Sequence, residues 1–211
     1  MERVIAGPER KGRIMDDKTK RTIAYHESGH ALVGHTLELA DPVHKISIIS
    51  RGRALGYTLS IPQEDKVLNS LNEMRDDLAV FMGGRVAEEI FCDDVTTGAS
   101  NDLERATKMA RAIVTQYGMS DKFGSMGLES TENQYLDGRN VATCSERTTS
   151  LVDEEVRIIL DECQQRAIQL LEQNKDALIK ISEYLLEKEN ITGDEFMSLL
   201  NECKEEPAEA V

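Results

Sequence analysis

Histidines stand at positions 26 and 30 of the chain and a glutamate at position 27, in the run His26-Glu27-Ser28-Gly29-His30. On a helix, residues four apart lie one turn above each other, so both imidazoles can aim at one point. Two nitrogen donors at that spacing make the start of a zinc site. Zn²⁺ takes such nitrogens at about 2.0–2.1 Å and, in catalytic centres, keeps one position open for water. Glu27, next to one histidine and three residues before the other, can reach that water. Its role is then general base, while the metal brings the water's pKa toward about 7 and polarises a scissile carbonyl. The plainer reading is a helix with two ordinary histidines. Against it, the chain has only 4 histidines, and two of them sit at ligand spacing with the right acid between them.

A third protein ligand is needed. The extended pattern HExxHxxGxxH would require Gly at 33 and His at 36, where this chain has Val33 and Thr36. Gly34 and His35 miss by one residue, and the His35 ring, five positions after His30, points about 140° away around the helix. His35 is therefore read as structural or exposed. Three carboxylates remain: Glu88, Glu89 and Asp102. Asp102 has the advantage of a short side chain in the first turn of a helix, where the dipole favours its ionised form. Spacing alone leaves the three open.

These residues need elements to hold them. Asp16 and Asp17 can cap a helix from about Lys18 to Leu39, which carries the HExxH run. After the turn Asp41-Pro42, VHKISIIS alternates as a half-buried strand, and GYTLSI can pair with it. Helical periodicity returns from about Leu68 to Phe91, where Gly83-Gly84 predicts a local bend in one helix. The turn-rich CDDVTTGASND leads into a helix with Leu103, Ala106, Ala110, Ile113, Val114 and Tyr117 on one face, ended by Gly118. From there to about Val141 the residues predict loop. Val152, Val156, Ile159, Leu160, Cys163, Ala167 and Leu170 mark a long amphipathic helix. Two shorter helices follow, about Asp176–Lys188 and Gly193–Glu202, and no internal repeat is found.

Composition excludes several function classes. Lys+Arg 25 against Asp+Glu 39 leaves a net charge of -14, so a phosphate-neutralising stripe has little to draw on and no nucleic-acid partner is expected. No window holds the roughly 18 uninterrupted apolar residues of a membrane span, and the first residues lack a signal-peptide core, so the chain reads as soluble. Cys92, Cys144, Cys163 and Cys203 form neither a CxxC pair nor a disulfide framework, which points to a reducing compartment.

The segments HESGHALVGHTLELADPVHKISIISRGRALGYT, MGGRVAEEI, TTGASNDLERATKMAR and YGMSDKFG occur in order and spacing similar to the peptidase region of FtsH proteases. The resemblance runs from about Arg3 to Leu200 and is weakest between Glu129 and Cys144. It implies that the zinc is held by His26, His30 and Asp102, with Glu27 as catalytic acid–base residue and Glu88 near the site as reserve ligand. It also implies that VHKISIIS is a substrate-docking edge to which an unfolded chain adds as a strand. Ser28 departs from the family's usual alanine without expected consequence.

No GxxxxGK[ST] phosphate loop occurs in the sequence. By the resemblance, ATP would enter only through an ATPase domain not in this chain, and membrane contact only through segments likewise not in it. The opening ERVIAGPERKGR resembles the family's junction between motor and peptidase. The resulting expectation is a mainly α fold: a helical zinc-peptidase domain with a small β-sheet edge and a C-terminal helical extension. Residues 1–15 would form the junction, 16–203 the peptidase domain with its C-terminal helices, and 204–211 a disordered tail. The implied whole is a membrane-anchored homo-hexamer serving protein quality control by degrading unfolded or damaged polypeptides. Its peptidase would face the cytoplasm in a bacterium, or the matrix or stroma in an organelle. The alternatives are an inactive helical oligomerisation module and a zinc hydrolase of small amides.

Overall fold

Helix α1, Asp17–Thr36, begins where Asp16 accepts a hydrogen bond from the Thr19 backbone N–H at 3.3 Å. The computed structural model describes residues 15–51, 54–62, 66–92, 94–132 and 139–205. From Ile23 to Gly34 α1 is buried at nearly every position. A helix apolar or close-packed on all sides lies inside the protein rather than on it, and α1 accordingly packs against the helices Leu71–Phe91, Glu146–Gln173 and Lys175–Lys188 and the strand Val43–Ser47.

Helix α2, Leu71–Phe91, is α1's main partner. It starts three residues later than apolar periodicity predicts, because Ser70 and Glu73 form a reciprocal capping box. The box satisfies two otherwise unpaired N–H groups, and Val67 and Leu68 are left exposed outside the helix. Gly83-Gly84 does not interrupt it. A 3₁₀ turn, Thr97–Ala99, leads into α3, Ser100–Thr115. The long α4, Glu146–Gln173, is capped by Ser145 and lies across α2 and α3. Helices α5, Lys175–Lys188, and α6, Gly193–Glu205, complete the C-terminal part. The fold is mainly α, with no described helix long and apolar enough to cross a membrane.

Strands β1 (Val43–Ser47), β2 (Tyr57–Ser60) and β5 (Asn190–Thr192) form an antiparallel sheet in the order β2-β1-β5. Ile46 faces Thr58 on one side and Ile191 on the other. This corrects the docking-edge expectation. VHKISIIS is the middle strand, its second side covered by a three-residue strand too short to show a period in the sequence. Among the described residues, the edge beside the HExxH helix is β2, whose outer side pairs with no other strand.

The segment expected as loop up to Val141 contains a hairpin, β3 (Glu129–Glu132) with β4 (Arg139–Ala142). Its polar strands show no alternation, so pairing rests on the backbone ladder and on buried Leu128. Leu128 N–H donates to Thr115 O at 2.8 Å, and its carbonyl accepts from Thr143 N–H at 2.9 Å. Helix α6 reaches Glu205, two residues into the expected tail; the rest of that tail and residues 1–14 of the junction lie outside the described residues.

One apolar cluster joins Leu32, Leu78, Ile113, Leu171, Ile181 and Phe196, one from each of the six described helices. Each such Leu or Ile contributes about 1.5–3 kcal/mol on full burial. That cluster fixes the backbone that carries the site.

Candidate metal centre

Helices α1 and α2 cross at glycines. A β-carbon built on Gly29 would lie 2.5 Å from Gly83 O and 2.6 Å from Ala87 Cβ, and one on Gly83 would lie 2.9 Å from Gly29 O. Any larger residue at either position would push the helices apart. One residue on, Gly84 faces the histidines directly: a β-carbon there would collide with His30 Nε2 and lie 2.6 Å from His26 Nε2. The glycine pair thus serves the crossing and the site.

Within this crossing, His26 Nε2 and His30 Nε2 are 3.0 Å apart. Asp102, in the first turn of α3, places Oδ2 3.5 Å from the first and 3.6 Å from the second. These three residues supply donor atoms that all lie within 4.8 Å of one another. Both rings are held from behind. His26 Nδ1 is 2.7 Å from Glu88 Oε1, and His30 Nδ1 is 2.7 Å from Val80 O. A carbonyl oxygen only accepts, so His30 Nδ1 carries a hydrogen, and neutral His30 turns a bare lone pair inward at Nε2. With His26 oriented likewise by its carboxylate, two imidazole nitrogens and a carboxylate oxygen converge on one point, and the nitrogens offer lone pairs there once His26 has given up its second proton. The arrangement can hold a metal ion, and a nitrogen–nitrogen–oxygen set with such backing partners fits zinc.

The charges respond to this crowding. Burial works against a charged His26, but hydrogen bonds to Asp102 and Glu88 outweigh it and push its pKa up to about 10. Burial likewise opposes ionisation of Asp102, yet hydrogen bonds from His26 and His30 hold its carboxyl well below the usual range. Glu88 is also held low, burial being overcome by His26 and by the Thr96 N–H at 2.7 Å. Glu27 moves the other way: burial raises its pKa despite the nearby histidines and a hydrogen bond from Thr58.

Of the sequence candidates, His26, His30 and Asp102 come together with Glu27 beside them, whereas Glu88 stands behind His26 as its hydrogen-bond partner. Glu89 points elsewhere, accepting from Arg85 Nε at 2.8 Å. His35 is half-buried and packs edge-on against Phe196, 5.7 Å between ring centroids. Sequence reasoning missed Val80, which acts through its carbonyl, and Thr58 and Gly56, which contact Glu27. A backbone acceptor leaves no residue-type signal. The glycine-rich approach to GYTLSI was the only hint of Gly56.

The family profile described as peptidase family M41 matches residues 13–199. Curated relatives include an ATP-dependent zinc metalloprotease FtsH of Slackia heliotrinireducens, 54% identical over 209 residues, covering 98% of this chain and 27% of that protein. The FtsH of Clostridium perfringens is 49% identical over 201 residues, covering 95% and 28%. That of Thermotoga maritima is 47% identical over 206 residues, covering 96% and 34%. The chain thus spans between about a quarter and a third of the length of these relatives. With an HExxH helix, an aspartate from α3 completing the donor set, and a profile covering nearly all its residues, the chain belongs to peptidase family M41.

Proposed function

We propose that this chain is the zinc-dependent endopeptidase part of an ATP-dependent protease, with His26, His30 and Asp102 as zinc ligands and Glu27 as general base. The observation that carries this reading is the convergence of two histidine Nε2 atoms and Asp102 Oδ2 beside a buried glutamate. When bound, zinc supplies Lewis acidity that acidifies a water and polarises the scissile carbonyl. The chain's own groups do the rest. Glu88 and the Val80 carbonyl fix which nitrogen of each histidine points inward. Asp102, held ionised, supplies negative charge that balances a cation. Glu27, made more basic by burial, takes a proton at its carboxylate and returns it to the leaving amine.

Substrate enters as extended backbone. The outer edge of β2 lies beside Glu27, so a flexible polypeptide adding there as a strand brings its carbonyls along the site. A stably folded domain holds about 5–15 kcal/mol against such opening. The relatives are named ATP-dependent, and in this reading unfolding work comes from parts of the protein other than this chain. By the same resemblance, the full protein is membrane-anchored, hexameric and directed at unfolded or damaged proteins.

Glu27→Gln tests the assignment, because it keeps the side chain's shape and removes its basicity. Zinc content should stay at one per chain while cleavage of an unfolded polypeptide falls by about 10²- to 10⁴-fold, the usual contribution of a positioned acid–base group. A zinc-loaded parent chain that cleaves no flexible substrate would return the domain to the reading of an inactive helical module. Substantial activity in the zinc-loaded variant would remove Glu27 from the mechanism.

A further inference from the structure

We infer that Thr58, on the edge strand β2, is a positioning residue for Glu27: its hydroxyl holds one carboxylate oxygen and leaves the other for the proton. Thr58 Oγ1 lies 2.8 Å from Glu27 Oε2 and 3.0 Å from the Glu27 backbone carbonyl. A hydroxyl has one hydrogen to give, so it donates to either oxygen of the same residue and to nothing else. Glu27 Oε1 receives no hydrogen bond from the described residues.

Gly56 makes this approach possible. A β-carbon on Gly56 would lie 2.8 Å from Glu27 Oε1, 2.9 Å from Glu27 Cγ and 2.8 Å from Ile23 Cγ2. With no side chain there, the chain entering β2 closes over the glutamate, and two residues later Thr58 reaches its far oxygen. In register, Thr58 pairs with Ile46 of β1 on its inner side. The strand is therefore anchored in the sheet and fixed relative to α1. A carboxylate at the end of a three-torsion side chain loses rotational freedom when one oxygen is clamped from a rigid element, which is how catalytic geometry is kept. Because β2 is also the edge on which substrate is read to add, the same strand aligns both the peptide and its base. This last step rests on the proposed function; the Thr58–Glu27 contact does not.

Two substitutions separate the hydroxyl from the shape. Thr58→Val keeps the branched outline and removes the donor, whereas Thr58→Ser keeps the donor. On a short flexible peptide, Thr58→Val should lower kcat by about 10- to 100-fold, the size expected for losing one hydrogen bond to a charged group. KM and zinc content should change little, and Thr58→Ser should stay within a few-fold of the parent. A second readout needs no turnover. In the metal-free protein labelled at glutamate carboxyl carbons, with the Glu27 signal assigned by its absence in Glu27→Gln, Thr58→Val should move the Glu27 titration midpoint upward and Thr58→Ser should restore it. Unchanged kcat and an unmoved Glu27 signal in Thr58→Val would overturn the inference. So would a kcat loss that comes entirely with lost zinc or lost thermal stability. Should Thr58→Val not fold, Thr58→Ser decides: a loss beyond a few-fold, or a shifted Glu27 signal, counts against the hydroxyl. If the parent cleaves nothing, the proposed function fails while the carbon-detected titration still tests the contact.

Discussion

A β-carbon built on Gly84 of α2 would lie 2.6 Å from His26 Nε2, the atom that α1 turns toward Asp102. Gly84→Ala should therefore displace the histidine rings and lower zinc affinity by at least about 10-fold, more than a change behind the ligands usually costs at its low end. Gly34, also in a helix, provides the contrast. A β-carbon there meets only Val80 Cγ2 at 3.6 Å, an ordinary contact. Gly34→Ala should leave zinc binding intact and stabilise the domain by about 0.5–1 kcal/mol through reduced backbone entropy. Zinc titration and thermal melts of the two variants check this, and normal zinc affinity in Gly84→Ala would contradict the geometry.

Asp102 and Glu88 both bear on His26, from opposite sides. Asp102→Ala removes a donor atom, and zinc content after dialysis should collapse. Glu88→Gln keeps a hydrogen-bonding oxygen behind His26 and removes its charge, so affinity should weaken by about 10- to 100-fold while one zinc per chain still binds at saturation. If Glu88→Gln abolished binding and Asp102→Ala spared it, the third ligand would be Glu88.

The raised pKa of His26 has a definite sign. A folded value of about 10 against histidine's ordinary 6.5 means that its contribution to stability is fully present below about pH 6.5. It is lost as pH rises toward about 10. Glu27, also raised by burial, acts in the same direction at lower pH. The metal-free protein should therefore lose stability between about pH 6.5 and 10, and zinc binding near pH 8 should release a proton as metal replaces it on His26. Denaturant melts across that range in chelator, with calorimetry in buffers of different ionisation enthalpy, measure both effects. Metal-free stability that is flat or rising over that range would be the contrary result.

A destabilised variant of a small domain and its stable parent form a matched pair of substrates. The chain should cleave the first and spare the second, because only spontaneous opening offers extended backbone to the β2 edge. ATP should alter neither rate, since the sequence carries no GxxxxGK[ST] phosphate loop. Equal cleavage of both substrates, or stimulation by ATP, would run against this reading.

The sequence by itself determined the elements whose signals are local. Four-residue spacing put His26 and His30 on one helix face, and apolar periodicity marked every helix that surrounds the site. Capping chemistry decided where α2 begins, at Ser70 and Glu73, although counting apolar residues had started it at Leu68. The donor set was half legible: sequence physics favoured Asp102 over Glu88 and Glu89 only weakly, through its place in a helix's first turn, resemblance chose it, and the structure brings Asp102 Oδ2 to the histidines.

What the tertiary structure decided are relations between segments distant in the chain. VHKISIIS was an edge by resemblance, and nothing in its own pattern corrected that, since its second partner, Asn190–Thr192, lies more than 140 residues away and is too short to show a period. Gly83-Gly84 read as a bend, since a missing side chain reveals its purpose only when the atoms that fill the space are known. Thr58 offered no signal, because a threonine in a strand is ordinary until Glu27 Oε2 lies 2.8 Å from its hydroxyl. The local code records a residue's conformational preference, whereas the close approach of α1, α2, α3 and β2 comes from burying one shared core, and that approach alone gives these residues their chemistry.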